Sequence, residues 1–184
     1  IRGRRWSVRE TMNIFILSKK ARRAARYHCD KHVVKMILET AQMLYTAWWL
    51  AEAEGTWCRE AERLVAAHPV ALQHARAKPA KPFKTSAYKP THANHPCAKW
   101  ARVSKENYLW LVELMEGLCE EKRLRYPKAL PHACEAHLAA LRRPPPGLPD
   151  GPRTPFPAAI NNPSIKSKWR LAGLRDEETV LAYR

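Results

Sequence analysis

Six polar residues between Tyr27 and Trp49 have the spacing that most invites a chemical reading. His28, His32, Lys35, Glu39, Gln42 and Thr46 step by four, three, four, three and four. If YHCDKHVVKMILETAQMLYTAWW is one helix, they stack on a single line of it. An ordinary solvated face is mostly Lys, Glu and Arg. This mix of imidazoles, an amide and a hydroxyl suits hydrogen bonding to a defined partner. Three chemistries are open to it. His28 and His32, with the second pair His92 and His95, supply four imidazoles, enough for a tetrahedral zinc. His-x-x-x-His is common by chance, however, and neither metal nor cofactor is expected. Proton transfer by His28 or His32, with Asp30 and Glu39 as the nearby acids, is the second. No Gly-rich phosphate loop or nucleophile elbow accompanies it, so no residue is given a catalytic role. Recognition of phosphate and base is the third. His28, Lys31, His32 and Lys35 project from adjacent lines, and Arg22, Arg23 and Arg26 precede them. A helix start at Asn94-His95 can offer backbone N–H groups to a phosphate. Lys89, His92 and Arg102 flank it, and Trp100 or Tyr88 can stack a base.

The third chemistry also accounts for the charge. Lys plus Arg number 33 against 17 Asp plus Glu, a formal charge of +16. Such an excess implies a polyanionic partner and salt-dependent binding. Apolar content of 46% in 184 residues is enough for one domain with a real core. No apolar run approaches the ~20 residues of a membrane span, so no membrane partner is expected. The five cysteines are odd in number and contain no C-x-x-C. They indicate neither a disulfide framework nor a zinc ribbon, and a reducing compartment fits.

The elements that must position these residues read as helices. Val34, Ile37, Leu38, Ala41, Leu44, Tyr45 and Trp48 form the apolar sector of the central helix. A basic helix start at Lys19–Arg26 leads into it, after a buried, strand-like Ile14–Leu17. A second helix runs from about Trp57 to Ala67, capped by Thr56. Lys78 to His95 is a basic, aromatic loop. Asn94 caps a short helix carrying Trp100, and Ser104 caps a longer one from Lys105 to Arg125 with Leu111, Leu114, Met115 and Leu118 as its core stripe. Pro131 opens a last compact helix to about Arg142. From Arg143 the run RRPPPGLPDGPRTPFP excludes helix, and Asp176–Tyr183 can close the chain with two turns. The expected fold is all-α: a basic arm (1–12), a helical domain (13–142), and an extended Pro-rich segment with a short terminal helix (143–184).

At YHCDKHVVKMILETAQML and KPTHANHPCAKWARVSKENYLWL the chain resembles a family of small uncharacterised proteins from phages and large DNA viruses. The same likeness includes Met12 to Phe15, the run Leu118, Cys119, Glu121, Arg125 and Tyr126, and the T-P-x-P element Thr154 to Pro157. More distantly, the layout is similar to the phage pyrimidine-dimer DNA glycosylase (endonuclease V) family. That likeness implies a compact helical protein whose nucleophile is an exposed α-amine assisted by a helix-borne Glu. Here the amine would belong to Asn13, yet Ile1 to Met12 precede it and make it an amide. Asp30 and Glu39 are both candidates for the acid. Asn161-Asn162-Pro163 replaces an acidic pair of the viral proteins, and Trp48 stands where they usually have His. The expectation is a glycosylase-like scaffold repurposed for binding. It would be a non-catalytic component of a large RNA–protein assembly, RNA ahead of DNA, with neighbouring proteins touching the arm and the Pro-rich segment. An organellar ribosome in the mitochondrial matrix is the leading setting, since the start resembles a trimmed transit peptide. In that role Arg2, Arg4, Arg5, Arg22, Arg23, Arg26, Lys31 and Lys35 contact phosphates. The alternative is a DNA glycosylase or AP lyase; a zinc-dependent hydrolase is a third class.

Overall fold

The computed structural model describes residues 14–50, 88, 91–145, 147–157, 159 and 176–183. The Arg-rich arm, the helix expected after Thr56 and most of the loop before Thr91 lie outside them. Among the described residues the structure is helical, with no strand. In chain order the helices are α1 (Ala21–Tyr27), α2 (Asp30–Leu50), α3 (Pro96–Ala101), α4 (Lys105–Arg125), a 3₁₀ turn (Ala133–His137), α5 (Leu138–Leu141) and α6 (Asp176–Tyr183). None of them is long and apolar enough to cross a membrane.

Helix α4 is the element the others pack on. Ser104 caps it, its hydroxyl accepting from Asn107 N at 3.2 Å, and Lys122, Arg123 and Arg125 close it. Both ends follow from the residue types at the helix poles. The expected stripe of Leu111, Leu114, Met115 and Leu118 is fully buried. At Gly117 α1 lies close against α4: a Cβ there would stand 2.9 Å from Ala25 Cβ and 3.3 Å from Arg22 Cα. The sequence ARRAARY suits that approach, turning Ala21, Ala24 and Ala25 inward and leaving its three Arg outside.

The expected continuous helix from Tyr27 is divided in two. His28 is extended, with φ −65° and ψ 136°, so α1 ends at Tyr27 and α2 begins at Asp30. The cause lies at the far end of α4. The Arg125 guanidinium donates to Arg26 O at 3.0 Å, His28 O at 2.7 Å and Asp30 Oδ1 at 2.9 Å, which holds the joint bent. The apolar sector of α2 is also wider than its pattern implies. Val33, Met36, Met43 and Ala47 are buried with Ile37, Ala41, Leu44 and Tyr45, whereas Val34, Leu38 and Trp48 are only partly so.

The segment before α1 is buried as expected, with Ile14 and Ile16 at 0% exposure. Phe15 between them takes φ 34°, a left-handed conformation that a bulky residue adopts only under constraint. The compact helix expected after Pro131 is instead a 3₁₀ turn followed by one short turn of α-helix. The Pro-rich stretch carries no helix or strand where it is described, up to Ala159. It docks on α4 through Asn107, which donates to Trp100 O at 2.7 Å and Thr154 Oγ1 at 2.8 Å and accepts from Thr154 N at 2.8 Å. Phe156 then completes an aromatic cluster with Trp100 and Trp110, ring centroids 4.8 to 5.7 Å apart. Asp176 at the start of α6 receives Phe156 N at 2.9 Å and pairs with Arg153.

Candidate nucleic-acid interface

The polar line of α2 survives in part, and its survivors form the wall of a cleft. Val34, Lys35, Leu38, Glu39 and Gln42 come from consecutive turns of α2. Thr91 and His92 face them from the loop before α3, and His132 from the segment before the 3₁₀ turn. The cleft encloses about 530 Å³, within the range of ~300–1,000 Å³ usual for ligand sites. Lys35 Nζ lies 3.4 Å from Glu39 Oε1. Glu39 is almost out of solvent, its side chain 10% exposed.

Local bonds fix the opposite wall. Thr46, the last residue of the polar line, is fully buried, donating its hydroxyl to Gln42 O at 2.8 Å and accepting from Thr91 N at 3.2 Å. That second bond ties the loop to α2. His92 sits at φ 50° with its Nδ1 2.7 Å from Thr91 Oγ1. Arg102 reaches back from beyond α3 to Ala93 O and Ala98 O, both at 3.0 Å, and pins the turn between His92 and His95.

Several residues assigned to recognition do other work. Trp100 is 5% exposed, buried in the aromatic cluster with its indole N–H on Thr154 O, so no base can stack on it in this fold. Tyr88 packs against Tyr45 and His137 and bonds the Cys134 thiol at 3.2 Å. Arg102, half-buried, spends its guanidinium on carbonyls. Asn94 is exposed but is not the cap of α3. His95 is, with Nδ1 accepting from Cys97 N at 3.2 Å. Pro96 has no N–H and Cys97 N is already taken, which weakens the case for phosphate at that helix start. Arg22 is held by α4, 2.5 Å from Glu120, 3.1 Å from Glu116 and 3.9 Å from Glu113.

The four histidines do not converge. His28 is 2% exposed at the α1–α2 joint, donating Nδ1–H to Ala24 O at 2.7 Å, which leaves Nε2 bare and buried. Burial holds it neutral by lowering its pKa. His32 stacks flat on Phe15, centroids 4.6 Å apart, beside a second cleft lined by Leu17, Tyr27, Cys29 and Tyr183. Burial also lowers the pKa of His95 and of His132, whose Nδ1 accepts from Cys134 N at 3.1 Å. The zinc arrangement of two histidine pairs therefore has no geometry to support it. Burial pushes the Cys97 and Cys119 thiols up to about 12, away from the thiolate that a metal or a nucleophilic step needs.

Arg23, Arg26 and Lys31 are exposed and enter no ion pair among the described residues. Lys31 stands one turn before Lys35 on the same side of α2. Arg2, Arg4, Arg5 and Lys89 fall outside the described residues. Thr91 and His132 are cleft residues that sequence reasoning missed, and for His132 the sequence held a cue. His95-Pro-Cys and His132-Ala-Cys share the spacing at which a His ring caps a turn by accepting from the Cys N–H.

Comparison of the chain with known protein families, curated proteins and solved structures finds no match.

Proposed function

We propose that the protein binds nucleic acid, RNA ahead of DNA, as a non-catalytic part of a large RNA–protein assembly, an organellar ribosome being the leading setting. The observation that carries the reading is how the charge is distributed. The excess is +16 over the whole chain. Most described carboxylates are consumed in internal ion pairs, including Glu113, Glu116, Glu120 and Glu121 on α4. The exposed cations Arg23, Arg26 and Lys31 are not, and they precede the cleft in the chain. A polyanion meets them as cations that enter no ion pair among the described residues.

Fluorescence anisotropy with labelled single-stranded RNA, single-stranded DNA and duplex DNA, titrated over salt, tests the reading. Affinity should fall linearly in log–log form, and the triple change Arg23→Gln, Arg26→Gln, Lys31→Gln should flatten the slope by roughly 2. Arg22→Gln should leave the slope nearly unchanged. Absence of binding at low salt, or affinity indifferent to salt, overturns the reading. Co-sedimentation with ribosomes in high salt tests the assembly.

One observation favours the alternative, a DNA glycosylase or AP lyase: the Glu39 carboxylate sits buried in a cleft beside an amine, Lys35. Borohydride trapping on abasic DNA decides it, since an imine would be reduced to a covalent adduct.

A further inference from the structure

We infer that the cleft beside α2 receives one unpaired nucleotide of the bound strand. This rests on the nucleic-acid reading and adds to it a particular occupant for a particular cavity.

The lining supplies what a nucleotide needs in separate places. Val34 and Leu38, at i and i+4, form an apolar strip along α2 suited to the flat face of a base. Gln42, one turn further, carries a donor and an acceptor, and its amide makes no hydrogen bond among the described residues. Glu39 accepts only, which suits an exocyclic amine. Lys35 lies at the same wall, 3.4 Å from that carboxylate, and Lys31 follows one turn outward. Together they give a phosphate a cationic path from cleft to surface. His92, exposed on the loop, closes the far side. An acidic peptide fits less well, because the nearly buried Glu39 carboxylate would face its carboxylates. A paired base fits less well too, since its hydrogen-bonding edge is occupied.

Among the described residues the cleft has no Trp or Tyr in its lining, which provides the readout. 2-Aminopurine is quenched by stacking on neighbouring bases and brightens when it leaves them. Duplexes bearing it at one unpaired position, in a DNA arm and an RNA arm, are titrated with the full chain, beside fully paired controls. The expected result is a several-fold rise with the unpaired probe and little change with the paired one. Leu38→Trp fills the cleft without altering charge. It should abolish the rise while binding of the paired duplex, measured by anisotropy, stays within about two-fold. Gln42→Ala, a milder change, should weaken binding of the unpaired probe several-fold and leave the paired one alone. Binding without brightening, or brightening that survives both variants, overturns the inference and leaves the nucleic-acid reading standing. Failure of any nucleic acid to bind overturns both. Whichever arm brightens more identifies the sugar.

Discussion

Replacing Gly117 with Ala should destabilise the protein, although Ala is the better helix former. The gain is about 1 kcal/mol from propensity in the middle of α4. Against it stands the approach of α1. The new Cβ would lie 2.9 Å from Ala25 Cβ and 3.3 Å from Arg22 Cα, where carbon atoms prefer ~3.5–4.0 Å. Neither neighbour is the end of a flexible side chain, so no rotamer change relieves the contact. Helix α1 must shift as a body by roughly half an ångström or more. It is restrained at both ends, by Arg22 on Glu116 and Glu120 and by the Arg125 bonds to Arg26 O and His28 O. Overpacking costs about 1–3 kcal/mol, and the restraint places this site near the top of that range. The net loss is about 2 kcal/mol, or a fall in Tm of ~4–8 °C for a chain of this size. Urea denaturation of G117A, A25G and the double variant measures it. A25G alone should cost about 1 kcal/mol through propensity, yet in the G117A background it should restore stability. A G117A protein as stable as the parent, or a double variant no better than the sum of the singles, would refute the close-approach argument.

Acidification between about pH 6.5 and 5.5 should lower stability. His28, His95 and His132 all have folded pKa values below the ordinary 6.5, with burial the largest cause. The unfolded chain therefore binds protons first, and stability present above 6.5 is lost as pH falls toward the folded values, by at most about 1.4 kcal/mol per unit per histidine. Urea curves at the two pH values check this, and H28Q should flatten the dependence; equal stability at both would contradict it. Asn107→Ala should cost about 3 kcal/mol, because it strips three hydrogen bonds from a fully buried site and leaves Thr154 N without its acceptor, while Trp100 O keeps Val103 N. Tryptophan emission should shift as the Trp100–Phe156 contact loosens, and a loss below 1 kcal/mol would show that the Pro-rich segment docks by other means.

What sequence made legible was local in origin. Ser104, the stripe from Leu111 to Leu118 and the basic last turn mark α4 because caps and periodicity act within a few residues. Asp176–Tyr183 was readable for the same reason. The break at His28 was not, since nothing between Tyr27 and Asp30 forbids helix; the cause is Arg125, almost a hundred residues away. The fate of Trp100 was equally hidden, being decided by Phe156 in a segment whose composition says only that it is irregular. Half the cleft was visible as the line Lys35, Glu39, Gln42. Thr91 and His132 join it only through tertiary contacts that spacing on one helix cannot encode.

The same reasoning explains why three arginines of one short helix carry different weight. In ARRAARY, Arg22, Arg23 and Arg26 are alike in type, and composition counts each as one positive charge. Helix α4 presents Glu113, Glu116 and Glu120 at i, i+3 and i+7, a single line of carboxylates, and Arg22 lies along it. Its exposed ion pairs are individually worth little stability, but together they neutralise its charge toward any incoming anion. Glu121, one position on, is turned to Arg125 instead. The acids of α4 thus serve the seam with α1 and the joint with α2, leaving Arg23, Arg26 and Lys31 outside their reach. A net charge of +16 says that a polyanion would be attracted. In the proposed reading, the pairing on α4 leaves the outer side of α1 and the first turns of α2, next to the cleft, as the surface that a polyanion would meet.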